Sequence, residues 1–174
     1  EVGGLGRVKA ILFDMDGVLV ESSRAWFYTL NSILEDLELP KVSWEVFVKH
    51  LGQNINKDIE VFFKGFTAEE VTLMYEKRFP KFISLVDPMP YAKDVLIKLE
   101  EFGLKTGCVT NTQRALAIKI LKRLGLLDFL GIVVGGDEVR CQKPDPEPIL
   151  KALSILDVPP ERACFVGDTI YDIE

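Results

Sequence analysis

The chain has 174 residues, 48% of them hydrophobic and 28% charged, with a formal net charge of −6. This length and composition suit one globular domain, or one core carrying an insertion. The acidic balance argues against a polyanion-binding surface and hence against a nucleic-acid partner; no apolar stretch approaches the roughly 20 residues that span a bilayer, so no membrane association is expected.

The segment Glu1-Val2-Gly3-Gly4-Leu5-Gly6 lacks a charged region followed by an apolar block. It does not read as a signal peptide and is set aside from fold reasoning. The run from Val8 to Leu19 is apolar and branched up to Phe13, then turns into Asp14-Met15-Asp16-Gly17. It predicts a buried strand. Side chains at i and i+2 of an extended segment point to the same side, so Asp14 and Asp16 are expected to project together from the strand's C-terminal end, and Gly17 lets the backbone turn and approach a ligand closely. From this stretch alone, a pair of solvated acids in a turn and a catalytic pair both remain open.

Four helix-like stretches follow with no strand between them. Ser22 or Ser23 can cap a helix carrying Trp26, Leu30, Ile33, Leu34 and Leu37, and Pro40 follows its end. Ser43 can cap a short helix closed by Gly52, and Asn56 can cap the next. Thr67-Ala68-Glu69-Glu70 has capping-box spacing. Pro88 and Pro90 then break the pattern, and strand alternates with helix. The expected order is a helix over 91–102, a strand over 104–109, a helix over 113–124, a strand over 132–134, a helix after Pro146 and a strand over 163–166. Such alternation implies α/β architecture with a doubly wound parallel sheet. Residues 1–19 and 87–174 are expected to form this core, and 20–86 an inserted helical cap. Its two tethers, near Val18–Glu21 and Leu85–Pro90, would let it open and close.

The three cysteines, Cys108, Cys141 and Cys164, have no metal-ligand spacing and suit a reducing cytoplasm. Cys108 and Cys164 lie in apolar runs and are expected as small core residues. The single histidine, His50, is expected in a surface or capping role.

Ligands of open α/β sheets bind beyond the carboxyl ends of the strands. Those ends present Asp14 and Asp16, Thr110 and Asn111, and Asp168, Thr169 and Asp172, with Lys143 on a loop between the third and fourth strands. Two like charges 4 Å apart repel by roughly 4 kcal/mol at an effective dielectric of 20. Such acids therefore need raised pKa values or cations. Lys143 supplies one positive charge, and oxygen ligands with substrate phosphate suit Mg2+. This set suits phosphoryl transfer to an aspartate. A second carboxyl, for which Asp16 fits, would protonate the leaving oxygen and then activate water. The Thr110 hydroxyl and the backbone N–H groups of Asn111 and Met15–Gly17 can hold the phosphate.

The segments Asp14-Met15-Asp16-Gly17-Val18, Val109-Thr110-Asn111, Lys143-Pro144-Asp145-Pro146 and Gly167-Asp168-Thr169-Ile170-Tyr171-Asp172 resemble, in order, the four motifs of the haloacid dehalogenase (HAD) superfamily. The helical insertion resembles the cap of its phosphoglycolate phosphatase and β-phosphoglucomutase branch. The resemblance implies Asp14 as nucleophile, Asp16 as general acid/base, and Thr110 and Lys143 as phosphate ligands. It also implies Mg2+ held by Asp14, the backbone carbonyl of Asp16, Asp168, and Asp172 directly or through water. Asp16 argues against dehalogenase chemistry. Ser22-Ser23-Arg24 stands where the mutases carry a cap-facing histidine, and the surroundings of Lys57 and Lys49 do not suit a phosphonatase imine.

The expectation is thus a cytoplasmic, Mg2+-dependent phosphatase of small phosphorylated metabolites, monomeric or homodimeric. A phosphosugar mutase and a non-catalytic phosphate-binding module are the alternatives. The turn Gly52-Gln53-Asn54-Ile55-Asn56-Lys57 sits where the family's specificity loop would be; Asn54, Asn56, Lys57 and Arg24 are the specificity candidates. The sequence ends at Glu174, just after the fourth motif, where the resemblance implies a further helix and strand.

Overall fold

The computed structural model of the chain describes residues 8–172; the N-terminal segment set aside above and Glu174 lie outside the described residues. The chain forms two compact units, one from the residues up to Val20 together with those from Pro88 onward, the other from Glu21–Asp87.

The α/β unit is built on four parallel strands in the order β5-β4-β1-β6: β1 Ala10–Phe13, β4 Lys105–Val109, β5 Ile132–Val134 and β6 Ala163–Val166. Phe13 aligns with Cys108 on one side and Val166 on the other. The strand termini therefore reach one edge together. Helix α7 (Glu147–Leu156) lays Ala152, Leu153 and Leu156 on Ala10, Leu12, Val109 and Val134. Alternate residues such as Ile11 and Phe13 point to the other side of the sheet. Helix α5 (Ala92–Glu101) packs on β4, and α6 (Arg114–Arg123) on β5. The periodic apolar residues predict these helices to within one or two residues, the usual fraying at helix ends. Cys108 is buried as expected, but Cys164 is exposed. Its side of β6 receives no helix among the described residues, so an apolar run in sequence did not become core there.

Two short strands, β2 (Val20–Glu21) and β3 (Asp87–Pro88), pair where the chain passes from one unit to the other. At two residues each, they are too short for any alternation to announce them.

The helical unit holds α1 (Ser23–Asp36), α2 (Trp44–Val48), α3 (Ile55–Val61) and α4 (Ala68–Arg78). Its core is Leu30, Ile33, Leu34, Phe47, Phe63 and Val71, with Trp26, Phe27 and Tyr75 packed against it. Phe63 is fully buried, which contributes roughly 2–3 kcal/mol. The Thr67 capping box forms as its spacing predicts: Thr67 accepts from the Glu70 N–H at 3.2 Å, and Glu70 accepts from the Thr67 N–H at 2.8 Å. Ser43 caps α2.

Two caps differ from expectation. At the start of α1 neither serine side chain caps; the Glu21 carboxylate accepts the Ser23 N–H instead, at 2.9 Å. At α3 the cap is Asn54, which accepts from the Lys57 N–H at 3.2 Å, while Asn56 is exposed inside the helix. Either asparagine has the chemistry of an N-cap. Here the helix begins at the earlier one, and Gln53 just before it is drawn to Asp58 at 2.6 Å.

Asp58 anchors a polar chain inside this unit. Tyr75 Oη donates to its other oxygen at 2.9 Å, and His50 Nδ1 lies 3.1 Å from Gln53 Oε1. His50 also packs edge-on to Phe62, so its role is structural rather than that of a surface cap. Among the described residues, no helix is long and apolar enough to cross a membrane.

Candidate active site

The site grows from the ends of β1, β4 and β6. Strand β1 ends at Phe13, but the Asp14 N–H still donates to the Val166 carbonyl at 2.8 Å, which fixes Asp14 as the next residue in the ladder. Asp16 is not placed by the strand pleat. The chain curls after Asp14: the N–H groups of Leu19 and Val20 donate to the Met15 carbonyl at 2.9 and 3.0 Å, and that of Gly17 to the Val20 carbonyl at 2.8 Å. Gly17 has φ +83°, and a Cβ there would collide with the Asp168 carboxylate. Glycine thus serves both the turn and the close approach of the loop after β6.

Lys143 is the centre of the cluster. It is 3% exposed, and its Nζ lies 2.8 Å from Asp14 Oδ1 and 2.6 Å from Asp172 Oδ1. It also sits 5.2 Å from the centre of the Phe165 ring. The loop that carries it is tied down by Asn111. Asn111 Oδ1 accepts the Lys143 N–H at 3.0 Å, and Asn111 Nδ2 donates to the Lys143 carbonyl at 3.3 Å. Two such bonds fix the backbone of Lys143, while Asp14 and Asp172 hold its ammonium. The Asn111 side chain therefore works on Lys143, a use that adjacency to Thr110 in sequence does not suggest.

The loop after β6 is organised by Asp172. Its Oδ2 accepts from the Asp168 N–H at 3.2 Å, the Thr169 N–H at 3.0 Å and the Thr169 hydroxyl at 2.9 Å. Gly167 permits this fold-back, since a Cβ there would overlap the Asp172 side chain. Both oxygens of Asp172 are thus engaged, one by a lysine and one by the loop, whereas the Asp168 carboxylate is exposed.

Thr110, 2% exposed, follows β4, and its N–H donates to the Val134 carbonyl at 3.0 Å. One residue that sequence reasoning missed stands next to it. Thr112 donates its hydroxyl to Asp16 Oδ2 at 3.1 Å, and its N–H donates to Thr110 Oγ1 at 3.1 Å. The only signal in sequence was a second hydroxyl two residues past Thr110, which a common loop threonine also produces.

Electrostatics follow from this crowding. Burial pushes the Asp14 carboxyl up to about 7; the neighbouring charges of Asp16 and Asp172 add to this, and Lys143 opposes it. Burial and the charge of Asp172 also raise Asp168. Asp172 is lowered, because the hydrogen bond and charge of Lys143 outweigh its burial. Burial disfavours the Lys143 ammonium, but Asp14 and Asp172 prevail and hold its pKa above the ordinary lysine value. Burial keeps the nearby Cys108 thiol well above its ordinary range, with Asp14 adding to the effect, so it stays protonated and unreactive.

Asp14, Asp168 and Asp172 each offer an oxygen, and these oxygens lie within 4.8 Å of one another. An all-oxygen set with more carboxylates than ammonium groups fits a hard divalent cation. Thus Asp14, Asp16, Gly17, Thr110, Asn111, Lys143, Asp168 and Asp172, from four separate segments, come together in the α/β unit. The other candidates belong to the helical unit. There Arg24 is exposed on the first turn of α1, Asn54 caps α3, and Lys57 pairs with Glu60 at 2.7 Å.

The chain matches the family described as haloacid dehalogenase-like hydrolase over residues 11–174. It is 34% identical over 173 residues to a phosphoglycolate phosphatase of Aquifex aeolicus, covering 96% of this chain and 79% of that protein. A solved structure from Haemophilus somnus, described as a predicted phosphoglycolate phosphatase, superposes with a TM-score of 0.79 at 25% identity, over 98% of this chain and 81% of that one. A haloacid dehalogenase-like family hydrolase from Streptococcus pneumoniae shares the fold, with a TM-score of 0.82 at 22% identity over 96% and 79% of the two chains. With the parallel sheet, the acidic cluster at its carboxyl edge and the family match over nearly the whole sequence, the chain belongs to the haloacid dehalogenase-like hydrolases.

Proposed function

We propose that this chain is a Mg2+-dependent phosphatase that hydrolyses a small phosphorylated metabolite through a phosphoryl group carried on Asp14. One observation carries the reading: a buried carboxylate, raised by burial, touches a buried lysine and lies beside two further acids. That arrangement costs stability and is the kind expected where charge is put to chemical use. The 34% identical phosphoglycolate phosphatase supports a small phosphomonoester as substrate. Arg24 and Asn56, both exposed on the helical unit, are the candidates for substrate selection. Three cysteines without a disulfide suit a cytoplasmic setting.

In this mechanism a carboxylate oxygen of Asp14 attacks phosphorus. The bond from phosphorus to the leaving oxygen breaks, and the Asp16 carboxyl gives that oxygen its proton. Asp16 then takes a proton from water, the water oxygen attacks phosphorus, and the acyl-phosphate bond breaks. Inorganic phosphate leaves and Asp14 is restored. Lys143 neutralises Asp14 and the incoming phosphate together, while the Thr110 hydroxyl holds an outer oxygen. Asp14, Asp168 and the Asp16 carbonyl would hold Mg2+, with Asp172 contributing charge and fixing the loop. Bound there, the cation supplies positive charge against both the carboxylates and the phosphate.

The test is phosphate release from 2-phosphoglycolate and p-nitrophenyl phosphate with Mg2+. Asp14→Asn is expected to lower the rate by more than about a thousandfold, and EDTA to abolish it reversibly. Wild-type rates in the Asn variant would remove Asp14 as nucleophile. A sugar phosphate isomerised without phosphate release would favour a mutase.

A further inference from the structure

We propose that Thr112 is a positioning residue that aims both the acid/base Asp16 and the phosphate ligand Thr110; the assignment rests on the proposed function above. Asp16 needs such a device. It lies beyond the end of β1, on a turn held by backbone hydrogen bonds to Met15 and Val20, so the strand does not dictate where its carboxyl points. The Thr112 hydroxyl reaches it across 96 residues of sequence, from the loop after β4, at 3.1 Å to Oδ2.

A hydroxyl suits this place because it donates one hydrogen bond and accepts others. It can donate to the carboxylate form of Asp16 and accept from the carboxylic acid form, and the acid/base must hold each in turn. An ammonium or amide N–H in the same place could donate to either form but could not accept the proton of the acid.

The backbone of the same residue acts on Thr110. The Thr112 N–H fills one acceptor position of Thr110 Oγ1 at 3.1 Å. The Thr110 O–H is left to donate elsewhere, which is what a ligand to a phosphate oxygen requires. Thr112 is itself anchored, since its carbonyl accepts the Gly136 N–H at 3.0 Å from the loop after β5. One residue thus ties phosphate grip and proton delivery to the ends of β4 and β5.

The distinguishing readout is dependence on the leaving group. An alkoxide leaving group needs the proton from Asp16, whereas p-nitrophenolate departs almost without it. With enzyme in excess and Mg2+ present, the rate of leaving-group release in a single turnover is compared for 2-phosphoglycolate and p-nitrophenyl phosphate. Thr112→Val is expected to slow the alkyl ester about tenfold or more and the aryl ester less than about threefold, a part of the 10²–10⁴ that acid–base catalysis contributes. Thr112→Ser, which keeps the hydroxyl, should restore the alkyl rate. Equal losses on both esters, or no rescue by serine, would overturn the positioning role while leaving the phosphatase reading intact. No release from either ester by the wild-type chain would overturn both.

Discussion

Asp14 in the α/β unit and Asp58 in the helical unit are both carboxylates pushed up by burial, to about 7 and about 6. Asp14 touches an ammonium at 2.8 Å and is raised all the same, because burial outweighs Lys143 and the charges of Asp16 and Asp172 add to it. Asp58 has no cation bonded to it among the described residues; its oxygens accept from the neutral Gln53 amide and Tyr75 hydroxyl. The first carboxylate sits in a cluster with more charge than it can neutralise internally. The second sits in a network whose hydrogen bonds join α3, α4 and the turn before α3. Satisfied neutral donors around a buried acid point to architecture, and an excess of one charge sign points to a ligand that completes it.

The comparison can be tested first at its charged end. Lys143→Met removes the ammonium bonded to both Asp14 and Asp172, leaving two poorly solvated carboxylates. Breaking a buried pair in this way costs about 3–5 kcal/mol, read as a lowered denaturation midpoint, together with loss of phosphatase activity. Added Mg2+ should recover part of the stability but not the activity. A variant as stable as the parent would mean that Lys143 does not hold the cluster together.

The neutral network gives a smaller effect of opposite sign. The folded-state pKa of Asp58, about 6, lies above its ordinary 3.8. Its contribution to stability is therefore complete below about pH 3.8 and is lost as pH rises through 6. Trp26 and Trp44, the only tryptophans, both lie in the helical unit, so their fluorescence reports on that unit. Urea unfolding followed this way should show the unit weaker at pH 7.5 than at pH 5. Asp58→Asn should flatten the difference and add on the order of 2 kcal/mol at pH 7.5, after allowing for its partial exposure. An unchanged pH profile in the variant would separate Asp58 from the effect.

The smallest effect isolates a local term. Thr67→Ala removes the hydroxyl half of the capping box and should cost about 1 kcal/mol by the same fluorescence assay. It should leave the activity of the α/β unit unchanged.

Much of the molecule was legible because the relevant physics is local. The Thr67 capping box needs only four consecutive residues. The ends of β5 and β6 follow from short branched runs bounded by glycine or a turn. The four segments that assemble the site each carry their chemistry in consecutive residues, so they could be recognised without knowing how they meet.

What was misread depended on partners distant in sequence. Asn54 and Asn56 are equally good caps in isolation, and the surrounding turn, with Gln53 held by Asp58, selects the first. Cys164 looks like core, but among the described residues no helix covers its side of β6. Nothing in the sequence around Asn111 indicates that both ends of its side-chain amide hold the Lys143 backbone.

By itself, the sequence determined the strand and helix succession, the helical insertion, and the identity of the acids, hydroxyl and lysine that meet at one edge. These follow from periodicity, turn chemistry and residue type, which act over a few positions. Tertiary structure alone decided how the charges are shared. It set Lys143 between Asp14 and Asp172, bound Asp172 to its own loop, left Asp168 exposed, and brought the Thr112 hydroxyl to Asp16. Those outcomes depend on distances of about 3 Å between groups tens of residues apart, where hydrogen-bond and charge energies change steeply.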